Sequence, residues 1–460
     1  VFRSPERYGM DAHTMATRTF RGGVHPPDEK HWTRDRAIEV MPPPAVVQVA
    51  LHQHTGAPCT SVVKPKQMVQ AGDLLGRSDA FVSAWVHSPV DGVVMRETVA
   101  TLPNGRHVRV VPVQTAQAPF DPRAVWDDIF GGEWPTKVDG SISPTDVVDR
   151  VRAAGIVGQG GAAFPTHVKL TRNPAKPVDV VLINGCECEP YLTADYRLML
   201  EAPQPILLGA RLAAIAAGAS RVVLAVEDNK PDAVARTREW APAYNVEVVE
   251  LDTHYPMGGE KQTVRVALGR TIPTGGLPLD VGVVVLNVAT AAAIARAVIR
   301  GRPLTHRVVT VTGPGIREPK NVLAPIGASY ADLLEFCGGL TPQAARVIAG
   351  GPMMGFALGG FQCPVTKGTS GVVVLTAEEI ERSEETACLR CGRCVDVCPL
   401  NLVPTRLALA ARHKDWATAR RYHLLACMEC GCCAYVCPAA IPLVQLIRMG
   451  KVQMPKEAGT

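Results

Sequence analysis

The spacing of apolar positions changes character several times along this chain of 460 residues. Residues 21–45 are punctuated by Gly22, Gly23, Pro26, Pro27, Pro42, Pro43 and Pro44, which predicts an extended strap. From 46 to about 115, short apolar runs alternate with turn residues, and 45–51, 62–65, 69–76, 81–86 and 87–94 read as short strands. From 120 to 305 the runs become fully apolar and alternate with Ala- and Leu-rich helical stretches. Strands are predicted at 178–183, 221–226, 247–251 and 282–286, with helices near 204–218, at 231–242 and after 288. Ser143-Pro144-Thr145-Asp146 is a capping-box start for a helix running to about Ala154. Residues 306–375 return to strands at 307–312 and 346–348, with a short helix over 330–336 stopped by Gly338-Gly339. Thr405 to Leu425 is helical by composition.

These units predict a multidomain α/β and β protein. The expected segments are a loosely ordered start (1–20), a strap with a β domain (21–119), an α/β domain with a mostly parallel sheet (120–305), a small β-grasp unit (306–377), a helical cysteine-rich domain (378–450) and a polar tail (451–460). The first β domain looks like a barrel-sandwich hybrid, the lipoyl and biotinyl carrier shape. The turn at 76–80, where a carrier presents its modified lysine, has no lysine, so a structural or docking module is expected. The pair His52 and His54 shares a strand face but lacks a third ligand, and is read as two ordinary histidines.

Composition narrows the class. The chain is 47% hydrophobic and 20% charged, with a formal charge of +5 and no basic stripe of the kind that reads nucleic acid. The N-terminal residues lack the apolar stretch of a secretory signal, so none is expected. The apolar stretches 205–226 and 281–299 are interrupted by Arg211, Arg221, Asn287 and Arg296, and read as buried strand and helix, not membrane spans.

The cysteines change the picture most. Cys388-x2-Cys391-x2-Cys394-x3-Cys398-Pro399 is repeated as Cys427-x2-Cys430-x2-Cys433-x3-Cys437-Pro438. This is the ligand spacing of bacterial two-cluster ferredoxins, in which the last cysteine of each run serves the other cluster. Cys388, Cys391, Cys394 and Cys437 are therefore assigned to one [4Fe-4S] cluster, and Cys427, Cys430, Cys433 and Cys398 to the second. A zinc site would not use a third cysteine at x2 and a fourth at x3 before proline. Cys432 breaks the spacing and reads as a packed or neighbouring thiol. Fourteen cysteines, eight of them in cluster spacing, imply a reducing, cytoplasm-facing location.

Four loops then follow predicted strands or open helices: Gly155-Ile156-Val157-Gly158-Gln159-Gly160-Gly161-Ala162-Ala163-Phe164-Pro165 with Lys169 beyond, Asn184-Gly185-Cys186-Glu187-Cys188-Glu189-Pro190, Tyr255-Pro256-Met257-Gly258-Gly259-Glu260-Lys261, and Asn287-Val288-Ala289-Thr290. A glycine-rich loop can admit phosphate to backbone N–H groups, and polar residues at the carboxyl ends of parallel strands are where α/β folds bind ligands. In this order the loops resemble the NADH- and FMN-binding subunit of respiratory complex I. With Phe20-Arg21-Gly22-Gly23-Val24-His25-Pro26-Pro27 and the full set of units, residues 20–450 resemble the C-subunit family of Rnf complexes, membrane-bound ion-translocating ferredoxin:NAD+ oxidoreductases.

The resemblance implies a Rossmann-like flavin/NADH domain, an SLBB-like β-grasp domain and a two-cluster ferredoxin domain. It implies noncovalent FMN, with NAD(H) as substrate. Gly158, Gly160, Gly161 and Lys169 would lie at the flavin phosphate and ring, and Asn184, Glu187, Cys188, Asn287 and Thr290 around the flavin. Phe164, Glu189, Gly259, Glu260 and Lys261 would complete the dinucleotide pocket. The complex I subunit has aspartate and serine where Cys186 and Cys188 stand, and an acid at Lys261. No protein nucleophile is expected, since hydride transfer to flavin needs none. The implied activity is electron transfer between NAD(H), FMN and two clusters toward ferredoxin. The implied setting is peripheral, on the cytoplasmic face of the plasma membrane, with integral membrane and redox subunits as partners and ferredoxin or flavodoxin reached through them. The alternatives are a flavin/iron–sulfur cobalamin reductase of the propanediol-utilising type and an electron-wire subunit without nucleotide.

Overall fold

The computed structural model describes residues 18–138, 140, 142–380 and 383–455. The loose start expected over 1–20 lies outside the described residues up to position 17, and the polar tail does so from 456 onward. The tail's first residues are helical instead, closing Leu443–Gln453.

The strap does not stay with the β domain that follows it. Ile38–Val40 pairs in parallel with Lys320–Pro325, far along the chain, and becomes the edge of a six-stranded mixed sheet. His306–Thr312, Gly371–Thr376, Ala344–Ala349 and Phe356–Ala357 complete that sheet. Its helix, Tyr330–Phe336, starts on a capping box between Ser329 and Asp332.

Between strap and α/β domain, Val46–Ala50, His107–Thr115, Gly92–Val94 and Met68–Val69 form one antiparallel sheet, with Thr98–Thr101 paired to the long strand. Thr60–Ser61, Leu74–Arg77 and Val86–His87 form a second. Val47, Val49, Leu75, Val86, Val111 and Val113 are fully buried in the core of this unit. The strand expected at 81–86 begins only at Val86, because residues 78–85 are a loop whose Ser83 hydroxyl donates to the Ala57 carbonyl.

The α/β domain carries a four-stranded parallel sheet in the spatial order Glu247–Leu251, Arg221–Glu227, Val180–Gly185, Val283–Asn287. Numbered along the chain this is 3-2-1-4, so the order reverses between Val180–Gly185 and Val283–Asn287. In doubly wound folds that reversal opens a crevice at the carboxyl edge of the sheet. Behind it, Pro203–Ala217 packs on Val288–Arg300 so closely that a Cβ on Gly209 would sit 1.7 Å from the Ala291 carbonyl oxygen. Among the described residues no single helix is long and apolar enough to cross a membrane.

The helical stretch expected over 405–425 is two helices, Pro404–Arg412 and Trp416–Arg421. Lys414 takes a left-handed conformation between them (φ 56°), and Asp415 caps the second helix by accepting from Thr418 N–H. These helices and Leu443–Gln453 enclose a core of Leu402, Leu407, Ile441, Leu443, Val444 and Ile447, against which the cysteine loops pack.

Candidate functional site

Asn184 and Asn287 end the two strands that flank the reversal, and they are direct neighbours in the pairing register. Two motifs a hundred residues apart thus meet at the mouth of one crevice. Each asparagine is fixed by its own loop. Asn184 accepts from Cys186 N–H at 3.0 Å and donates to the Gly258 carbonyl at 2.8 Å. Asn287 caps the helix Val288–Arg300 by accepting from Ala289 N–H at 2.9 Å, and donates to Asp195 at 2.5 Å.

The glycine-rich loop lies over this mouth. Gly158 N–H donates to the Phe164 carbonyl at 2.8 Å, so residues 158–164 close on themselves as a tight loop. A Cβ on Gly160 would stand 3.5 Å from Asn287 Cβ, while Gly161 (φ 103°) has open space beside it. The loop is held from three sides. Thr55 of the first β domain donates to Ala162 and Ala163 carbonyls at 3.1 Å through its hydroxyl and its N–H. Gln159 N–H donates to the buried Thr290 hydroxyl at 2.8 Å, and Arg307 donates to the Gln159 carbonyl at 3.0 Å. Lys367, wholly buried, donates to the Gly155 carbonyl at 2.7 Å and to that of Trp85. Burial brings its ammonium down to a pKa of about 7.

The acids are distributed less simply than the sequence suggests. Glu187 turns back to cap the helix Ala194–Glu201, accepting from Asp195 and Tyr196 N–H at 3.0 and 3.1 Å. Burial, with the Glu187 charge next, raises the Asp195 carboxyl to about 7. Glu189 accepts from Met353 N–H of the β-grasp unit at 3.1 Å. Glu260 pairs with Lys169 at 3.0 Å, and Lys169 also reaches the Val285 carbonyl, which ties the helix after the glycine loop to the 258–261 loop. Lys261 turns away to the Pro273 carbonyl. Gly259 precedes the helix Glu260–Leu268, and a Cβ there would meet Met428 of the second cysteine loop at 2.5 Å.

Cys186 is a buried thiol packed with Val180, Leu182, Val223 and Met257, where burial pushes its pKa far up. Cys188 lies beside Gly258, where an added Cβ would stand 3.1 Å from its sulfur. It lies with Tyr255, Met353, Met428, Cys430 and Cys432 at the seam between the α/β domain and the second cysteine loop, and burial raises its pKa too. The His52 and His54 rings bond the Gly56 and Ala57 carbonyls.

Gln159, Asp195, Arg307, Lys367 and Tyr255 carry no signal of their own in the sequence. Tyr255 and Gln159 stand inside recognisable motifs, whereas the other three gain their place only through tertiary contact.

The cysteine loops sit side by side. In each, a backbone N–H two residues on points at the first sulfur, Arg390 to Cys388 and Glu429 to Cys427, both at 3.4 Å. Leu402 N–H points at Cys398 Sγ at 3.3 Å. Hydrogen bonds of this type tune thiolates that bind iron–sulfur clusters. Burial raises the Cys398 thiol pKa, partly offset by backbone hydrogen bonds from Leu402 and Leu400. Cys398 lines one small cavity together with Cys427, Cys430 and Cys433, the four residues assigned to one cluster. All fourteen cysteines are free thiols, and among the described residues no three His, Cys, Asp or Glu side chains converge on a single-ion site. The donor set fits two clusters, whose thiolates sit on separate irons. The crevice, with its side-chain-free loop over two asparagines, fits a flavin nucleotide.

Comparison with known proteins matches four segments of the chain. Family models match for an RnfC barrel sandwich hybrid domain (residues 18–118), a Nuo51 FMN-binding domain (151–296), an SLBB domain (308–357) and a 4Fe-4S dicluster domain (387–441). The C subunit of a proton-translocating ferredoxin:NAD(+) oxidoreductase complex of Clostridium ljungdahlii is 43% identical over 94% of this chain and 93% of its own length. The C subunit of an ion-translocating oxidoreductase complex of Rhodobacter capsulatus is 41% identical over 95% and 84%. That of a Na(+)-translocating ferredoxin:NAD(+) oxidoreductase complex of Acetobacterium woodii is 40% identical over 94% and 96%. Among solved structures, an NAD+-reducing [NiFe]-hydrogenase in the H2-reduced state aligns with a TM-score of 0.47 at 20% identity, covering 69% of this chain and 64% of that one.

Proposed function

The chain belongs to the C-subunit family of ion-translocating ferredoxin:NAD+ oxidoreductase complexes, and from that premise we propose how its parts divide the work. It is the subunit that exchanges electrons between NAD(H), FMN and two [4Fe-4S] clusters. Bound FMN supplies the conversion between the two-electron chemistry of a nicotinamide and the one-electron chemistry of the clusters.

The protein's part is positional. The glycine loop lets the backbone approach the flavin, with Asn184, Asn287 and Thr290 fixing its floor. Lys169 and Glu260 close the side of the crevice that faces Val285. The nicotinamide is expected over the same mouth, between Phe164 and the 258–260 loop. Glu189, Cys188 and Lys261, all expected in the pocket from their motifs, are better read as structural at its edges, since each is committed elsewhere.

One observation carries the reading: the wall of the crevice is also the wall of the second cysteine loop and of Val397–Pro399, the end of the first run, whose Cys398 is assigned to the same cluster. Tyr255 donates to the Cys430 carbonyl at 2.6 Å, and Gln262, on the helix opening at Glu260, donates to the Pro399 carbonyl at 3.3 Å. The strap clamps the same junction. Val24 exchanges both backbone hydrogen bonds with Tyr255, and Gly23 N–H donates to the Val397 carbonyl at 2.8 Å. The cluster on Cys427, Cys430, Cys433 and Cys398 is therefore the inner one, and that on Cys388, Cys391, Cys394 and Cys437 the outer. Electrons leaving the outer cluster pass to redox subunits of a membrane complex and through them to ferredoxin or flavodoxin, with this subunit peripheral on the cytoplasmic face.

Anaerobic reconstitution of the full chain tests the reading. It should give a flavin spectrum bleached by NADH and about eight irons. An iron content near four, or a flavin that NADH does not bleach, would contradict it.

A further inference from the structure

The two cysteine loops are an internal repeat, so one serves as a control for the other. Their backbones agree: Gly392 and Gly431 have φ of 82° and 87°, Arg390 and Glu429 of 55° and 61°, and Asn401 and Ala440 of 54° and 48°. What differs is what covers them. A Cβ on Gly431 would meet the Met353 carbonyl oxygen at 2.7 Å, and Cys430 and Cys432 are buried under Tyr255 and Met353. A Cβ on Gly392 would meet nothing within 4 Å. Cys391, the counterpart of Cys430, is exposed, Leu389 is 66% exposed, and Arg393 stands in solvent where its counterpart Cys432 is fully buried.

The charges differ in the same sense. The covered loop carries Glu429, which pairs with Arg448 at 3.1 Å and Lys451 at 2.6 Å. At the equivalent position the bare loop carries Arg390, with Arg393 three residues on. Among the described residues neither arginine has an ion-pair partner. Residues 383–455 hold nine Arg and Lys against five Asp and Glu. Of those acids, Glu385 is taken by Arg412, Glu429 by the pair just named, and Asp415 by a helix cap. Glu384 and Asp396 stand exposed. A loop whose repeat lies beneath neighbouring domains is thus left open, with Leu389 at its tip and Arg390 and Arg393 beside it.

We propose that Leu389, Arg390, Cys391, Gly392 and Arg393 form the docking face for an acidic electron-transfer domain of a partner subunit, seated on the outer loop as the flavin and β-grasp domains are seated on the inner one. The proposal rests on the inner/outer assignment above. Opposite charge across such a face governs encounter and orientation more than affinity, so its signature is a salt-sensitive rate.

The test uses the whole complex, purified in mild detergent, with either the native chain or the double variant Arg390→Glu/Arg393→Glu. The charge-neutral Arg390→Gln/Arg393→Gln and the charge-keeping Arg390→Lys/Arg393→Lys serve as graded controls, each checked for iron content. NADH should bleach the flavin and both clusters of the isolated loaded variants as in the native chain. In the complex, NADH-driven reduction of the other subunits' cofactors should fall about tenfold or more with the glutamates, less with the glutamines and little with the lysines. Native transfer should slow as ionic strength rises. Native rates in the glutamate variant, with iron retained, would overturn the proposal. So would transfer that stays intact while binding of the chain to anionic lipid vesicles is lost, which would assign the arginines to a membrane surface. Failure of NADH to reduce the clusters even in the native chain would instead sink the underlying electron-transfer reading.

Discussion

The Tyr255 hydroxyl donates to the Cys430 carbonyl across 2.6 Å, joining the loop after the third sheet strand of the flavin domain to the inner cysteine loop. Both groups are buried, and burial holds the phenol firmly protonated. Tyr255→Phe keeps the packing and strands the carbonyl, a loss of about 1–3 kcal/mol. The inner loop should loosen selectively. Iron release on mild heating should begin earlier, while FMN affinity stays within about twofold. Equal weakening of flavin binding would mean that Tyr255 serves the crevice rather than the seam.

Crossed ligation separates two alanine variants. Cys398→Ala should remove the inner cluster and leave about four irons. NADH would then bleach the flavin but no longer reduce the remaining cluster at a useful rate, because the intermediate relay is gone. Cys437→Ala should remove the outer cluster, and the inner one should still be reduced by NADH. Electron paramagnetic resonance of the NADH-treated variants checks both. The reverse pattern would show that each run keeps its own fourth cysteine.

Lys230 and Glu227 form an ion pair at 2.7 Å with side chains only 2% and 1% exposed. Burial alone would lower the lysine pKa, but the adjacent Glu227 charge holds it above the ordinary range. Lys230→Met leaves the glutamate without its cation and should cost about 3–5 kcal/mol. Lys230→Met with Glu227→Gln should recover much of that loss. Chemical denaturation of the three proteins measures the coupling, and no recovery in the double variant would mean the loss is steric.

Much of this is legible in the residues. Apolar period and capping signals place the strand runs at 221–226 and 247–251 and the helix over 330–336 almost to the residue. The cysteine loops and crevice asparagines stand out because their chemistry is local in sequence. What escapes is non-local. Nothing in Ile38-Glu39-Val40 announces that it will join the β-grasp sheet, since its partner strand lies at 320–325. Glu189 carries a ligand-binding motif's signature, yet its carboxylate is claimed by Met353 N–H from a domain whose docking no sequence pattern encodes. Lys367 looks like a surface lysine in Thr366-Lys367-Gly368, and becomes a buried tie only because two carbonyls from other domains converge on it.

Glu189 also makes the protein's stability depend on pH in a direction opposite to ordinary acid denaturation. Burial raises its carboxyl from near 4.5 to about 7, only partly offset by hydrogen bonds from Met353 and Met354 N–H. Its Oε1 has no hydrogen-bond partner among the described residues, so the full charge is left incompletely stabilised. Between those two values the native chain holds a proton that the unfolded chain has released. Stability therefore falls as pH rises from about 4.5 to 7 and is level above, by an amount on the order of 3 kcal/mol from this group alone. Glu189→Gln keeps an acceptor for Met353 N–H and cannot ionise. The variant should match the native chain near pH 4.5, be more stable at pH 8, and lose this component of the slope between. Measuring the unfolding free energy of both proteins across that range decides it. A native-minus-variant difference that does not change with pH would show that Glu189 enters the fold already charged and is paired there.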